Sequence, residues 1–167
     1  MLARIQGARV ASPQEAARAE VILLATPWPS TAEALRGLGD LTGKILLDAT
    51  NPLNDTFDAL DPGNTSSGGE LVAQWAPGAR VVKIFNTIGF NVMASPAFPE
   101  GPATLFYCGD DPAAKTVARD LAAQIGFDPV DAGPLAKARV LEPFALLWIG
   151  LAFGGHGRDI AFRLMHR

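Results

Sequence analysis

The sequence predicts an α/β protein, a mostly parallel sheet covered by helices, and three observations carry that expectation. Short, nearly continuous apolar runs recur at Glu20–Thr26, Lys44–Thr50 and Arg80–Phe85. Such runs, ended by turn formers, read as strands buried on both faces. Segments that open with helix-capping residues lie between them, so strand and helix alternate, with right-handed crossovers. Composition is the third observation: 49% of the 167 residues are hydrophobic and 19% charged, enough for one domain with a substantial core.

Each element has a local reason. Ala8–Val10 reads as a first short strand. Ser12-Pro13-Gln14-Glu15 is a capping box with proline at the first helical position, and that helix ends near Arg18. The strand Glu20–Thr26 stops at Pro27-Trp28-Pro29; Ser30 caps the next helix, with Glu33 three residues on, as far as about Leu38. In the strand that follows, Ile45, Leu46, Leu47 and Ala49 are interrupted only by Asp48, and Thr50-Asn51-Pro52 halts it. Proline lacks the N–H a ladder needs and pushes Asn51 out of helical conformation. Residues 54–69 read as a functional surface loop. Ser67-Gly-Gly-Glu70 repeats the capping spacing and starts a helix through Trp75. The third strand, Arg80–Phe85, ends in Asn86-Thr87; the fourth is Thr104–Cys108. Asp111-Pro112 caps a helix with apolar or small residues at Val117, Ala118, Leu121, Ala122 and Ile125, stopped by Gly126. Asp128–Val130 is a last short strand. From Ala136 to Arg167 the chain reads as a helical segment with a break at Gly154-Gly155-His156-Gly157.

Composition narrows the function. A net charge of -3 lacks the basic stripe a nucleic-acid binder needs. The single Cys108 excludes an internal disulfide and a cysteine-rich metal site, and fits a reducing compartment. Residues 1–10 carry Arg4, Gln6 and Arg9 and no signal-like apolar core. The most apolar stretch, Pro143–Gly155, is shorter than the roughly 20 residues of a spanning helix and reads as a buried helix. A soluble cytoplasmic protein is the expectation.

Three strand ends carry polar punctuation: Thr26-Pro27, Thr50-Asn51-Pro52 and Asn86-Thr87. In open parallel sheets ligands sit beyond the carboxyl ends of the strands. Amide and hydroxyl groups there both donate and accept, which suits a neutral, planar, amide-bearing ligand; they supply no metal site and no strong base. Trp28 and Trp75 read as packing residues, Trp28 with the option of flanking a ring, and Trp148 as core. His156 and His166 lack a carboxylate partner at a diagnostic spacing. Cys108 reads as an inert buried thiol. Gly154-Gly155-His156-Gly157 follows no strand and is no phosphate loop. Asp110 and Asp111 read as a cap and turn.

The motifs Leu24-Ala-Thr-Pro-Trp28, Asp48-Ala-Thr-Asn-Pro-Leu53, Val82-Lys-Ile-Phe-Asn-Thr87, Gly109-Asp-Asp111, Val130-Asp-Ala-Gly-Pro-Leu135, Ala138-Arg139, Leu141-Glu-Pro143 and Arg158-Asp-Ile-Ala-Phe-Arg163 cover nearly the whole chain. Through them it resembles the coenzyme F-420-dependent NADP oxidoreductase family. Its nicotinamide-binding domain is similar to those of pyrroline-5-carboxylate reductases and of membrane metalloreductases with a cytosolic reductase domain. The resemblance implies a single Rossmann-like NADP-binding domain over 1–167, ending in the helical segment at about 136–167. It implies hydride transfer between NADP and a deazaflavin, coenzyme F-420, or a flavin. Thr26, Pro27, Trp28, Asn51, Pro52 and Leu53 would lie along the nicotinamide half of NADP. Asn86, Thr87 and Ile88 would sit where the second ring stacks, with no catalytic side chain and no metal.

One departure stands out. The family opens with a strand, a Gly-x-Gly-x-x-Gly turn, a helix and a second strand, and nothing of that kind precedes Met1–Val10. The expectation is a Rossmann-like, mostly parallel sheet lacking its first strand–helix–strand unit and hence the pyrophosphate site. NADP affinity should then be weak. With those central strands gone, Val21–Thr26 becomes an apolar edge, which predicts a homodimer through it. The alternative is a non-catalytic remnant or interaction module that binds no dinucleotide. Membrane attachment is disfavoured by the lack of a spanning segment, and an imino-acid reductase by the short C-terminal part.

Overall fold

Five strands form one sheet in chain order: β1 (Val21–Leu24), β2 (Ile45–Asp48), β3 (Arg80–Lys83), β4 (Thr104–Gly109) and β5 (Asp128–Asp131). The computed structural model describes residues 7–63 and 65–167. β1, β2 and β3 run parallel, with Val21, Ile45 and Arg80 in register. β4 meets β3 antiparallel over Val82–Gly109 and Lys83–Cys108, and β5 is parallel to β4. The fold is α/β and Rossmann-like, with helices α1 (Pro13–Ala16), α2 (Trp28–Leu38), α3 (Gly68–Trp75), α4 (Phe90–Ala94), α5 (Pro112–Ile125) and α6 (Ala138–Leu151).

Strand alternation sorts the core into two layers. Ile45 and Leu47 face one side with Val82, Ile84, Leu105 and Tyr107, where Ala114, Ala118 and Ala122 let α5 lie close. Leu46 faces the other with Leu24 and Val81, covered by Leu35 of α2 and Val72 of α3. A smaller cluster of Cys108, Ala138 and Leu141 seats α6.

The caps act as their residue types require. Ser12 and Glu15 form the capping box of α1. Ser67 Oγ accepts from the Glu70 backbone N–H, and Asp111 caps α5 through the N–H of Ala114. Gly126 closes α5 at φ +112°, a left-handed cap for which glycine carries no Cβ penalty.

Several boundaries differ from the sequence reading. The helix expected to be capped by Ser30 is instead preceded by Pro27 and begins at Trp28, three residues earlier than that cap implies. Pro27 and Pro29 pre-set the helical φ, and Pro29 lacks an N–H that would need a cap. β3 ends at Lys83, not Phe85, because Phe85 turns to φ +66°. Ala8–Val10 forms no strand, and Val10 is 74% exposed. The short α4 carried no clear signal. Helix continues only through a π turn at Ala152–His156, and residues 158–167 are not helical. They run beside β4: the Thr104 N–H donates to the Phe162 carbonyl at 2.9 Å, and the Leu164 N–H to Thr104 Oγ1 at 2.9 Å. The helical run Leu135–His156 has 22 residues, and an 18-residue window within it reaches a mean hydropathy of 1.3, long and apolar enough to cross a membrane by length and composition alone. This corrects the thirteen-residue count; its inward face, with Leu141, Glu142, Ala145 and Trp148, packs on the domain.

Candidate functional site

The carboxyl ends of β1, β2 and β3 open into a cleft of about 930 Å³. Seven of the sequence-predicted residues line it: Thr26, Pro27 and Trp28 after β1, Asn51 and Leu53 after β2, Asn86 and Ile88 after β3. Pro52 and Thr87 do not; both are buried behind it. Phe57, Phe85, Phe90 and Met93 also line it, with Leu121 and Ile125 of α5. Sequence reasoning did not select these, since apolar residues in loops and helices carry no sign of which face they present.

Two asparagines form the polar centre. Asn51 Nδ2 donates to the Asn86 carbonyl at 2.8 Å. Asn86 Nδ2 donates to Asn51 Oδ1 at 3.1 Å and to the Leu141 carbonyl of α6 at 3.2 Å. Two acceptors facing one end of the Asn86 amide identify that end as nitrogen. Asn86 Oδ1 is then a buried acceptor with no partner, and a buried polar group left unpaired is costly enough to need an explanation. Backbone strain lies beside it. Phe57 at φ +59° and Phe85 at φ +66°, both non-glycine residues in the left-handed region, line this same cleft. Such conformations cost of order 1–3 kcal/mol each and cluster at ligand sites.

Beneath the asparagines lies an ionic cluster that the sequence reading passed over. Lys83 Nζ sits 2.7 Å from Asp48 Oδ2 and 2.8 Å from Glu142 Oε1, and donates to the Thr50 carbonyl at 2.8 Å. All three side chains are 0–2% exposed. Glu142 also accepts the N–H groups of Gly68 and Gly69, each at 2.9 Å. Asp48 Oδ1 accepts the Thr50 N–H at 2.9 Å and hydroxyl at 2.7 Å. Burial alone would push the Lys83 ammonium down, but the two carboxylates outweigh it and hold it above the ordinary lysine value. The signal was a charge set among apolar neighbours in each of three elements: Asp48 in β2, Lys83 in β3 and Glu142 in α6.

The other candidates lie as packed, exposed or deeply buried groups. Trp28 packs its ring on Trp75 with centroids 5.3 Å apart while also lining the cleft. Trp148 is 9% exposed and donates its indole N–H to the Ile160 carbonyl. His156 and His166 are exposed. Cys108 is fully buried, and burial pushes its thiol up to about 12. Among the described residues no three His, Cys, Asp or Glu side chains group to hold a metal.

Comparison with known proteins adds the family. The sequence model described as NADP oxidoreductase coenzyme F-420-dependent matches residues 2–52. Metalloreductase STEAP3 of Rattus norvegicus is 33% identical over 141 residues, covering 83% of this chain and 28% of that protein. The F-420-dependent NADP reductase of Methanocaldococcus jannaschii is 31% identical over 138 residues, 79% of this chain and 61% of that protein. The chain thus spans less than two thirds of either relative. A crystal structure of a candidate F-420-dependent NADP-reductase from an Arthrobacter species superposes with a TM-score of 0.86 at 34% identity, over 94% of this chain and 74% of that one. On that similarity, the chain belongs to the coenzyme F-420-dependent NADP oxidoreductase family.

Proposed function

We propose that the cleft receives the nicotinamide end of NADP and that the protein passes hydride between it and a second ring, the deazaflavin of coenzyme F-420 or a flavin. The locked amide pair carries this reading. Asn51 and Asn86 bring their side-chain amides to a cleft walled largely by apolar side chains. Nicotinamide has a carboxamide that both donates and accepts and a flat ring to bury, so its chemistry fits those amides and those walls. Bound nicotinamide supplies the hydride chemistry itself.

The chain's own residues bind, orient and exclude water. Thr26, Pro27 and Trp28 flank the nicotinamide side, Asn51 meets its polar edge and Leu53 its apolar face, with Pro52 packed behind them. Asn86 stands where the two ring positions meet, Ile88 backs the second ring, and Thr87 supports both from the interior. Correct orientation of reacting groups lowers a barrier by about 7–11 kcal/mol, so transfer between two rings requires no side-chain acid.

Calorimetric titration with NADPH tests the reading. We expect binding weaker than micromolar, and Asn86→Ala should weaken it a further tenfold or so, about one hydrogen bond. No heat from the wild-type chain, or heat that Asn86→Ala leaves unchanged, overturns it. A second reading, an interaction module that binds no dinucleotide, draws on the exposed outer edge of β1, where Val21 is 38% and Leu23 56% exposed. The same edge supports a homodimer. A cytoplasmic location completes the proposal.

A further inference from the structure

We infer that Lys83, held between Asp48 and Glu142, is a positioning centre through which α6 and the start of α3 set the geometry of the Asn51–Asn86 pair. This deepens the proposed function: it names the residues that place the amides said above to meet the nicotinamide.

The argument begins with the valence of the ammonium. Lys83 has three protons, and three acceptors from three segments take them: Asp48 on β2, the Thr50 carbonyl after β2, and Glu142 on α6. No proton is left to rotate elsewhere, so the Thr50 carbonyl is held in one place. Asp48 grips the same residue from its other side, through the Thr50 N–H and hydroxyl. The next residue is Asn51. Its amide therefore leaves a backbone that is fixed on both sides.

α6 reaches the pair by two routes from adjacent residues. The Leu141 carbonyl accepts from Asn86, and the Glu142 carboxylate binds Lys83. A displacement of this one helical turn moves both asparagines together. The turn is itself seated on α3, whose first two N–H groups both point at Glu142. Absence of side chains at Gly68 and Gly69 permits that approach. A Cβ on Gly68 would lie 3.1 Å from Glu142 Oε1 and 3.2 Å from both Pro52 Cδ and the Trp28 ring. A Cβ on Gly69 would lie 3.0 Å from Ala138 Cβ and 3.2 Å from Lys83 Cε.

Mere cohesion is a poor account of such a cluster. Desolvating three charges is expensive, and apolar residues of similar volume commonly hold a core as well or better. What an ionic cluster adds is direction, because each contact has one geometry. A surface pair offers the contrast: Arg139 on α6 binds Glu70 on α3 through two hydrogen bonds, at 2.7 and 2.6 Å, and Glu70 is not among the residues lining the cleft.

The experiment reads the side-chain amide signals of Asn51 and Asn86 by NMR in the full 167-residue chain, with NADPH titration alongside and thermal melting as the fold control. Glu142→Gln keeps the shape and leaves Lys83 paired with Asp48, but cuts the charged link to α6. It should shift both amide signals, speed their exchange and raise the NADPH Kd about tenfold, the equivalent of one charged hydrogen bond. Gly69→Ala changes no charge, pushes on Lys83 and α6, and should displace the same two signals; it decides the matter if Glu142→Gln does not fold. Arg139→Gln, which loosens α3 from α6 at the surface, should leave them in place. Amide signals unmoved by Gly69→Ala, or moved as far by Arg139→Gln, overturn the inference. If the wild-type chain gives no NADPH heat, the nicotinamide reading falls, while the amide signals still judge the positioning role.

Discussion

Phe85 shows how one residue can organise a site. A strand that continued would carry Asn86 along the sheet; φ at +66° turns the chain out of the ladder, where Asn86 meets Asn51 and the Leu141 carbonyl. Its buried ring, 5% exposed, holds the strained backbone in place. Cys108 is the opposite case, a reactive atom made inert. Its thiol is fully buried on β4 and its value stands near 12, so almost no thiolate exists at neutral pH. Native protein at pH 8 should therefore resist an aromatic disulfide reagent, and label fully once denaturant unfolds it. Rapid labelling of the native chain would show that β4 is not packed as described.

At the scale of elements, α3 is held at its start from two directions. Glu142 occupies the N–H groups of Gly68 and Gly69, and Glu70 pairs with Arg139. The Arg139 hydrogen bond, helped by Ser67, holds the Glu70 carboxyl below its ordinary value of 4.5 despite partial burial. A depressed carboxylate contributes stability that is present above the unfolded value and lost as pH falls through the folded one. Glu70→Gln should thus lower the Tm at pH 7 by no more than about 4 °C, since the pair is partly exposed. The difference from wild type should shrink steadily below pH 4.5. A difference that persists unchanged in acid would place the effect elsewhere. The misjudged start of α2 belongs to this scale as well. Ser30 and Glu33 offer a sound capping pattern, yet two prolines begin the helix earlier with no cap at all.

For the whole molecule, the open question is the outer edge of β1. Among the described residues it pairs only with β2, and Val21 and Leu23 present apolar side chains beside unpaired backbone groups. Edges of this kind recruit another strand, and a lysine on the strand discourages it. Light scattering should report a dimer for the wild-type chain and a monomer for Val21→Lys, with both folded. A monomeric wild type would remove the homodimer proposal and leave the cleft unaffected.

What the sequence determined by itself was local. Continuous apolar runs marked β1 to β4, and Ser12, Ser67 and Asp111 marked three helix starts, because burial on both faces and orphan N–H groups each demand particular residue types nearby. Polar strand ends marked Thr26, Pro27, Thr50, Asn51 and Asn86 of the cleft, and the family resemblance added Trp28, Leu53 and Ile88. Tertiary structure alone decided the rest. Whether Asp48, Lys83 and Glu142 are three solvated charges or one buried cluster depends on segments far apart in the chain arriving at one point. No spacing encodes that meeting. The antiparallel join of β3 to β4, the extended course of residues 158–167 and the Asn51–Asn86 pair were settled in the same way, by which surfaces the packed sheet brings together.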